Sequence, residues 1–121
     1  MSIERVRAYL EPLGMADKIL EFPVSSATVE LAAQALGCEG ARIAKTLSFL
    51  VEGQPVLIVA AGDAKIDNSK YKAFFHTKAK MLTPDEAEEL VGHAVGGVCP
   101  FGVKEGVTVY LDESLKRFHT V

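Results

Sequence analysis

Arg42-Ile-Ala-Lys-Thr-Leu-Ser-Phe-Leu-Val51 and, after Glu52-Gly53-Gln54, Pro55-Val-Leu-Ile-Val-Ala-Ala61 are the stretches whose reading decides the fold. In the first, Ile43, Lys45, Leu47, Phe49 and Val51 share one face of a strand, because successive strand side chains point to opposite sides. The second is apolar on both faces, which makes it a central strand. Glu52-Gly53-Gln54 joins the two as a β-hairpin. Lys45 is the anomaly, a charged residue on a face otherwise made of large apolar side chains. A buried ammonium is costly unless compensated, so Lys45 is expected to meet an anion, a pocket mouth or water. A second reading starts the strand at Thr46 and leaves Lys45 to cap the preceding helix. The pattern alone leaves both open.

Working outward, Ser2 is a plausible helix N-cap, without the glutamate three residues on that a capping box needs. Ile3, Val6, Leu10 and Leu13 follow at helical spacing and Gly14 stops the helix. Ile19 to Val24 suits a short strand, with Pro23 marking an edge or an end. Thr28 opens the helix TVELAAQALG, closed by Gly37. Beyond the hairpin, Gly62 ends the strand, and Asp67 or Asn68 can cap a short helix through Phe75. Thr83-Pro84 starts another helix with acidic residues in its first turn, ended by Gly92. Val107 to Leu111 reads as a strand, Asp112 to Ser114 as a turn, and Phe118 to Val121 as a further strand. Strands and helices interleave without a regular βαβ period. The expected class is α+β, a mixed, curled or barrel-like sheet with helices packed around it.

The 121 residues suit one domain, with 49% hydrophobic and 24% charged residues, an ordinary globular composition. A net charge of −3 excludes a generally basic nucleic-acid binder but leaves room for a local basic patch. Cys38 and Cys99 form no CxxC, and His76, His93 and His119 are scattered, so no metal site is expected. Two reduced thiols point to a cytoplasmic location. The start MSIERVRAYLEPLG is amphipathic, unlike a signal peptide. No apolar run reaches the ~18 residues of a membrane span.

Three segments could carry chemistry: Lys45-Thr46, Ala61 to Lys72, and the loop Gly96-Gly97-Val98-Cys99-Pro100-Phe101-Gly102. The loop's glycines allow close backbone approach to a ligand, its proline locks the turn, and exposed N–H groups can bind a carbonyl or an anion. It is not a P-loop, and it could equally be a tight connection. Lys65, Lys70, Lys72, Lys78 and Lys80 form a basic run set against Asp63 and Asp67. It could hold phosphates, although a solvated helix face is the commoner explanation. Cys99 with His93 six residues away is a further candidate, as a thiol nucleophile.

At these segments the chain resembles the YbaK/EbsC family, free-standing relatives of the editing domain inserted in bacterial prolyl-tRNA synthetase. The matching stretches are TVELAAQALG, RIAKTLSFLV, VLIVAAGDAKIDNSKYK, GHAVGGVCPFG and YLDESLKRF, in the family's order and spacing. The resemblance implies a mixed, barrel-like sheet with surrounding helices. It also implies hydrolysis of the ester joining a wrong amino acid to the 3′ end of a tRNA. It places the family's lysine on Lys45 and its GxxxP loop on Gly96 to Pro100. Thr46 and the segment around Ser26 to Thr28 would help line the amino-acid pocket. The family pattern continues for some tens of residues past the equivalent of Val121, with a Gly-Ser turn, a strand and a helix. The 121 residues lack that stretch, so an unpaired sheet edge and a more open site are expected.

The implied mechanism needs no strong nucleophile, because an amino-acid ester is already reactive. A deacylase can align a water and stabilise the oxyanion. Lys45 would neutralise the terminal phosphate or orient the ester, and the Gly96-Gly97 amides would bind the carbonyl. The substrate's own ribose hydroxyl would help activate water. The amino acid would be small (alanine, serine, threonine or cysteine), since a second, small pocket corrects what binding alone separates poorly. The partner would be a mischarged tRNA, that for proline by resemblance, and beyond it a synthetase. No cofactor is implied. The competing class is a non-catalytic module that holds a tRNA end or a synthetase partner, and a third is a hydrolase using Cys99.

Overall fold

The computed structural model describes residues 2–121 and has the α+β architecture. The hairpin is its centre. Strand β1 (Ala44–Val51) pairs antiparallel with β2 (Gln54–Ala61), in register from Ala44 opposite Ala61 to Val51 opposite Gln54. The two-residue turn is Glu52-Gly53, both left-handed, the geometry that matches the twist of the flanking strands. Strand β3 (Thr108–Leu111) lies parallel on the other side of β2, pairing Val56 with Thr108 through Val59 with Leu111. The order β1-β2-β3 makes a mixed sheet with β2 central and buried from Pro55 to Ala61. Among the described residues the sheet is three-stranded and open. The outer edge of β1 is partly covered, because Leu50 N–H donates to Lys80 O and Leu82 N–H to Ser48 O.

Helices pack on both faces. Helix α1 (Ile3–Leu10) is capped by Ser2, whose hydroxyl accepts from Arg5 N–H. Helix α2 (Val29–Leu36) is capped by Thr28 and closed by Gly37. Helix α3 (Asn68–Phe75) takes Asp67 as its cap. Helix α4 (Pro84–Glu86) carries a full capping box between Thr83 and Glu86, then widens into a π-helical turn, Ala87–Val91.

Directly opposed residues of paired strands share a face. Phe49, Val56 and Ile58 therefore stand on one face, where they pack with Tyr71 of α3, flanked by Leu47, Phe75 and Tyr110. On the other face Leu57 packs with Leu82 and Val91, flanked by Val98, Val103 and Val109. The glycine-rich loop thus belongs to one face of the sheet and α3 to the other. A third cluster joins Val6 and Leu10 of α1 to Cys99 of the loop, with Ile19 against it.

Two expected strands are absent. Ile19 to Val24 follows a 3₁₀ turn, Ala16–Lys18, as extended chain with no ladder partner. Ile19 is drawn onto α1 while Leu20, Phe22 and Val24 stay exposed, and Pro23 has no N–H for a ladder. Phe118 to Val121 also pairs with nothing as a strand. The expected turn at Asp112 to Ser114 is instead the start of a 3₁₀ helix, Glu113–Arg117, that Asp112 caps through Ser114 N–H. Its Ser114 hydroxyl accepts from Ala61 N–H, and Arg117 holds Asp63 with both terminal guanidinium nitrogens. The chain past β3 is therefore committed to the end of β2.

Candidate functional site

Lys45 lies within β1, and the reading of a strand beginning at Thr46 is corrected by the register, which starts at Ala44. Lys45 is half-buried opposite Ala60, on the α3 face. Its ammonium donates to Gly62 O at 3.3 Å and to Ala64 O. Two carbonyls therefore compensate the charge, and the third N–H of the ammonium remains available. The carbonyls are offered by the chain as it leaves β2, which turns because Gly62 is pressed against a neighbour. A Cβ there would stand 2.0 Å from Gly40 O and 2.9 Å from Val29 Cγ1. Gly62 thus ties the Lys45 end of the hairpin to the start of α2.

On the other side of α2's start lies a cleft of about 360 Å³, lined by Ile3, Leu20, Glu21, Phe22, Ser25, Ser26, Ala27, Gly96 and Gly97. Three separate stretches meet there: the first turn of α1, the segment ahead of α2, and the glycine-rich loop. Gly96 packs on Ala27, a Cβ at Gly96 lying 3.6 Å from Ala27 Cβ. Of the expected residues, Ser26, Gly96 and Gly97 come together in this cleft. Lys45, Thr46, Thr28 and Pro100 are not among its lining. Thr28 has a structural job, its hydroxyl accepting from Leu31 N–H at 3.1 Å. Gly97 N–H is also taken, donating to Ala94 O at 3.0 Å, so Gly96 N–H is the amide of the pair without a partner among the described residues.

The loop is held in place from α1, which the sequence did not reveal. Arg5 Nε donates to Gly102 O at 2.7 Å. Gly102 is left-handed at φ +67°, and a Cβ there would sit 2.5 Å from Arg5 O, so only glycine lets helix and loop approach this closely. His93 completes the brace. It is buried, its Nδ1 accepts from Ser2 N–H at 3.0 Å, and its Nε2 lies 2.8 Å from Phe101 O. An acceptor at Nδ1 and a carbonyl at Nε2 define the neutral tautomer with the proton on Nε2. Burial depresses the His93 pKa below the ordinary imidazole value, and Arg5 works in the same direction.

Cys99 Sγ lies 3.6 Å from His93 Nε2. The pair does not make an activated thiol. The nearer imidazole nitrogen already carries a proton, and burial pushes the Cys99 pKa up, whereas a nucleophilic cysteine needs it lowered. Cys99 is instead packed against Val6 and Leu10.

The basic run does not converge on the cleft. Lys65 and Lys70 line a separate concavity of about 490 Å³ on the α3 face, with Tyr71, Phe74 and Tyr110 and the acidic Asp67, Asp112 and Glu113. Lys72, Lys78 and Lys80 are exposed. Among the described residues, no group of histidine, cysteine or carboxylate side chains could hold a metal ion.

A family model described as an aminoacyl-tRNA editing domain matches residues 24–121. The chain belongs to the aminoacyl-tRNA editing domain family. In this domain the matched span contains Lys45, the Ser25 to Ala27 part of the cleft and the whole loop, and leaves α1 and Leu20 to Phe22 outside. Over 122 aligned residues the editing domain is 54% identical to the uncharacterized protein YwhH of Bacillus subtilis, covering 100% of this chain and 78% of that one. It is 32% identical to a segment of the proline–tRNA ligase of Limosilactobacillus fermentum, over 74% of this chain but 17% of the ligase. A solved structure described as a candidate trans-editing enzyme for prolyl tRNA synthetase superposes with a TM-score of 0.85 at 36% identity. It covers 97% of this chain and 75% of that one. No helix among the described residues is long and apolar enough to cross a membrane.

Proposed function

We propose that this editing domain is an aminoacyl-tRNA deacylase acting in trans, which hydrolyses the ester of a small, wrongly attached amino acid at the 3′ end of a tRNA, that for proline. The observation that carries the reading is the cleft itself. In a chain of the editing family, one open depression brings together Leu20, Phe22 and Ala27, the Ser26 hydroxyl, and a backbone donor at Gly96 without a partner among the described residues.

The chemistry follows from those groups. The ester carbonyl accepts from Gly96 N–H, and the donor strengthens as negative charge develops on that oxygen. Water adds its hydroxyl to the carbonyl carbon. The ribose oxygen leaves with the water's proton, releasing free amino acid and intact tRNA. Glu21 is the one carboxylate among the lining residues and is paired with Arg7; the vicinal ribose hydroxyl orients the water. Lys45 lies outside the lining of the cleft, at the start of β1 beside the turn that abuts α2; its proposed role is to meet the terminal phosphate with its remaining N–H. Leu20 and Phe22 limit the volume beside the ester, which favours alanine, serine, threonine or cysteine over larger residues.

The test is a panel of tRNAs charged with alanine, serine, threonine, cysteine and proline, run beside Lys45→Ala. The expected result is selective release of one small amino acid, reduced roughly 100-fold in the variant, the scale of losing one electrostatic contact to the transition state. Full activity of Lys45→Ala would remove the lysine from the mechanism. Tight tRNA binding with no release from any member of the panel would make the domain a binding module.

A further inference from the structure

We infer that Glu21 receives the α-ammonium group of the aminoacyl substrate, so that the cleft reads a free amine as well as a small side chain. The inference rests on the deacylase reading for its substrate class and deepens it. Every α-aminoacyl ester carries an ammonium two bonds from the carbonyl carbon. A cleft that takes the ester brings that charge to its wall, where a carboxylate within reach can accept a charge-assisted hydrogen bond from it.

The cleft offers one carboxylate among its lining residues, and it is Glu21. Leu20 and Phe22 on either side of it also line the cleft, and the carboxylate stays solvent-exposed at 62%. It is also held. Arg7, from α1, donates through Nη2 to Glu21 Oε2 at 2.9 Å. An exposed ion pair of this kind adds little stability; it engages Oε2 and leaves Oε1 without a partner among the described residues. The glycine-rich loop contributes the opposite polarity, a backbone N–H at Gly96. Donor and acceptor on one cleft suit a short molecule with a carbonyl at one end and an ammonium at the other. A chain whose amine is blocked, such as a peptidyl-tRNA or an N-acylated aminoacyl-tRNA, would bring no charge to Glu21 and would be passed over.

The experiment compares two non-hydrolysable probes, 3′-(alanylamino)-3′-deoxyadenosine and its N-acetyl derivative, by titration calorimetry on the wild type and Glu21→Gln. The expected result is a wild-type preference of about 3-fold for the free amine, the size of one exposed ion pair. In Glu21→Gln the preference disappears while the affinity for the acetylated probe is unchanged. Glu21 is exposed, so the thermal midpoint of the variant should match the wild type. A preference that persists in Glu21→Gln, or a wild type that does not distinguish the probes or binds neither, overturns the inference. Hydrolysis of alanyl-, seryl-, threonyl- and cysteinyl-tRNA by the same wild-type sample reads the deacylase separately. Hydrolysis without amine preference overturns the role of Glu21 alone. An amine preference that depends on Glu21, without hydrolysis, overturns the deacylase alone.

Discussion

A methyl group at Gly62 would collide with the backbone of Gly40 and the side chain of Val29 at once. Neither backbone nor a packed β-branched residue yields cheaply, so Gly62→Ala should cost about 3 kcal/mol, the upper range for overpacking. Urea unfolding would measure it. The same substitution moves the carbonyl that Lys45 holds, so deacylation should fall further than the loss of folded protein explains. Lys45 was legible from alternation along one strand, because an ammonium on an apolar face has to be compensated. What compensates it was not legible. The partners are backbone carbonyls of Gly62 and Ala64, and carbonyls are present at every residue, so nothing in the residue types marks these two.

Among the elements, the ones with local signals formed as expected. Ser2, Thr28, Asp67 and Thr83 all cap helices, since a side-chain oxygen on an unsatisfied N–H is a contact within four residues. The resemblance puts Thr28 in the amino-acid pocket; in the structure its hydroxyl accepts from Leu31 N–H and Thr28 is not among the residues lining the cleft. Thr28→Ala should therefore lower stability by about 1 kcal/mol and leave the ranking of amino acids in the charged-tRNA panel unchanged. A changed ranking would return Thr28 to the pocket. The strands at Ile19 to Val24 and Phe118 to Val121 failed for a different reason. Apolar residues at strand spacing need an edge to pair with, and Ile19 found α1 first. The loss is functional gain for the cleft, because Leu20, Glu21 and Phe22 are free to form its wall.

At the scale of the whole molecule, the contact between Ser2 and His93 joins residues 91 apart in the chain. It makes folding sensitive to acid. Burial depresses the His93 pKa in the folded protein, so below the ordinary value near 6.5 the unfolded chain binds more protons than the folded one. The stability is complete above that value and is lost as pH falls from it toward the depressed one. The urea midpoint should therefore drop between pH 7.5 and 5.5, with a smaller drop in His93→Gln, whose amide does not titrate. Equal slopes would locate the acid sensitivity elsewhere. Asp63, Glu86 and Asp112, whose pKa values are all lowered by hydrogen bonds, titrate below this window.

The sequence by itself determined the hairpin, the central strand, the caps, the α+β class and the family, because each depends on neighbours in the chain or on a pattern of residue types. It also singled out Lys45 and the glycine-rich loop. Only the tertiary structure decided that Ser26 and Gly96 share a cleft, that Lys45 stands on the α3 face outside its lining, and that Arg5 and His93 hold the loop. It also decided that Glu21, in a stretch read as an ordinary strand, stands at the wall of that cleft. Those are contacts between residues far apart in sequence, made by backbone atoms and by the packing of α1. No local pattern encodes which carbonyl, or which loop, a given side chain will meet.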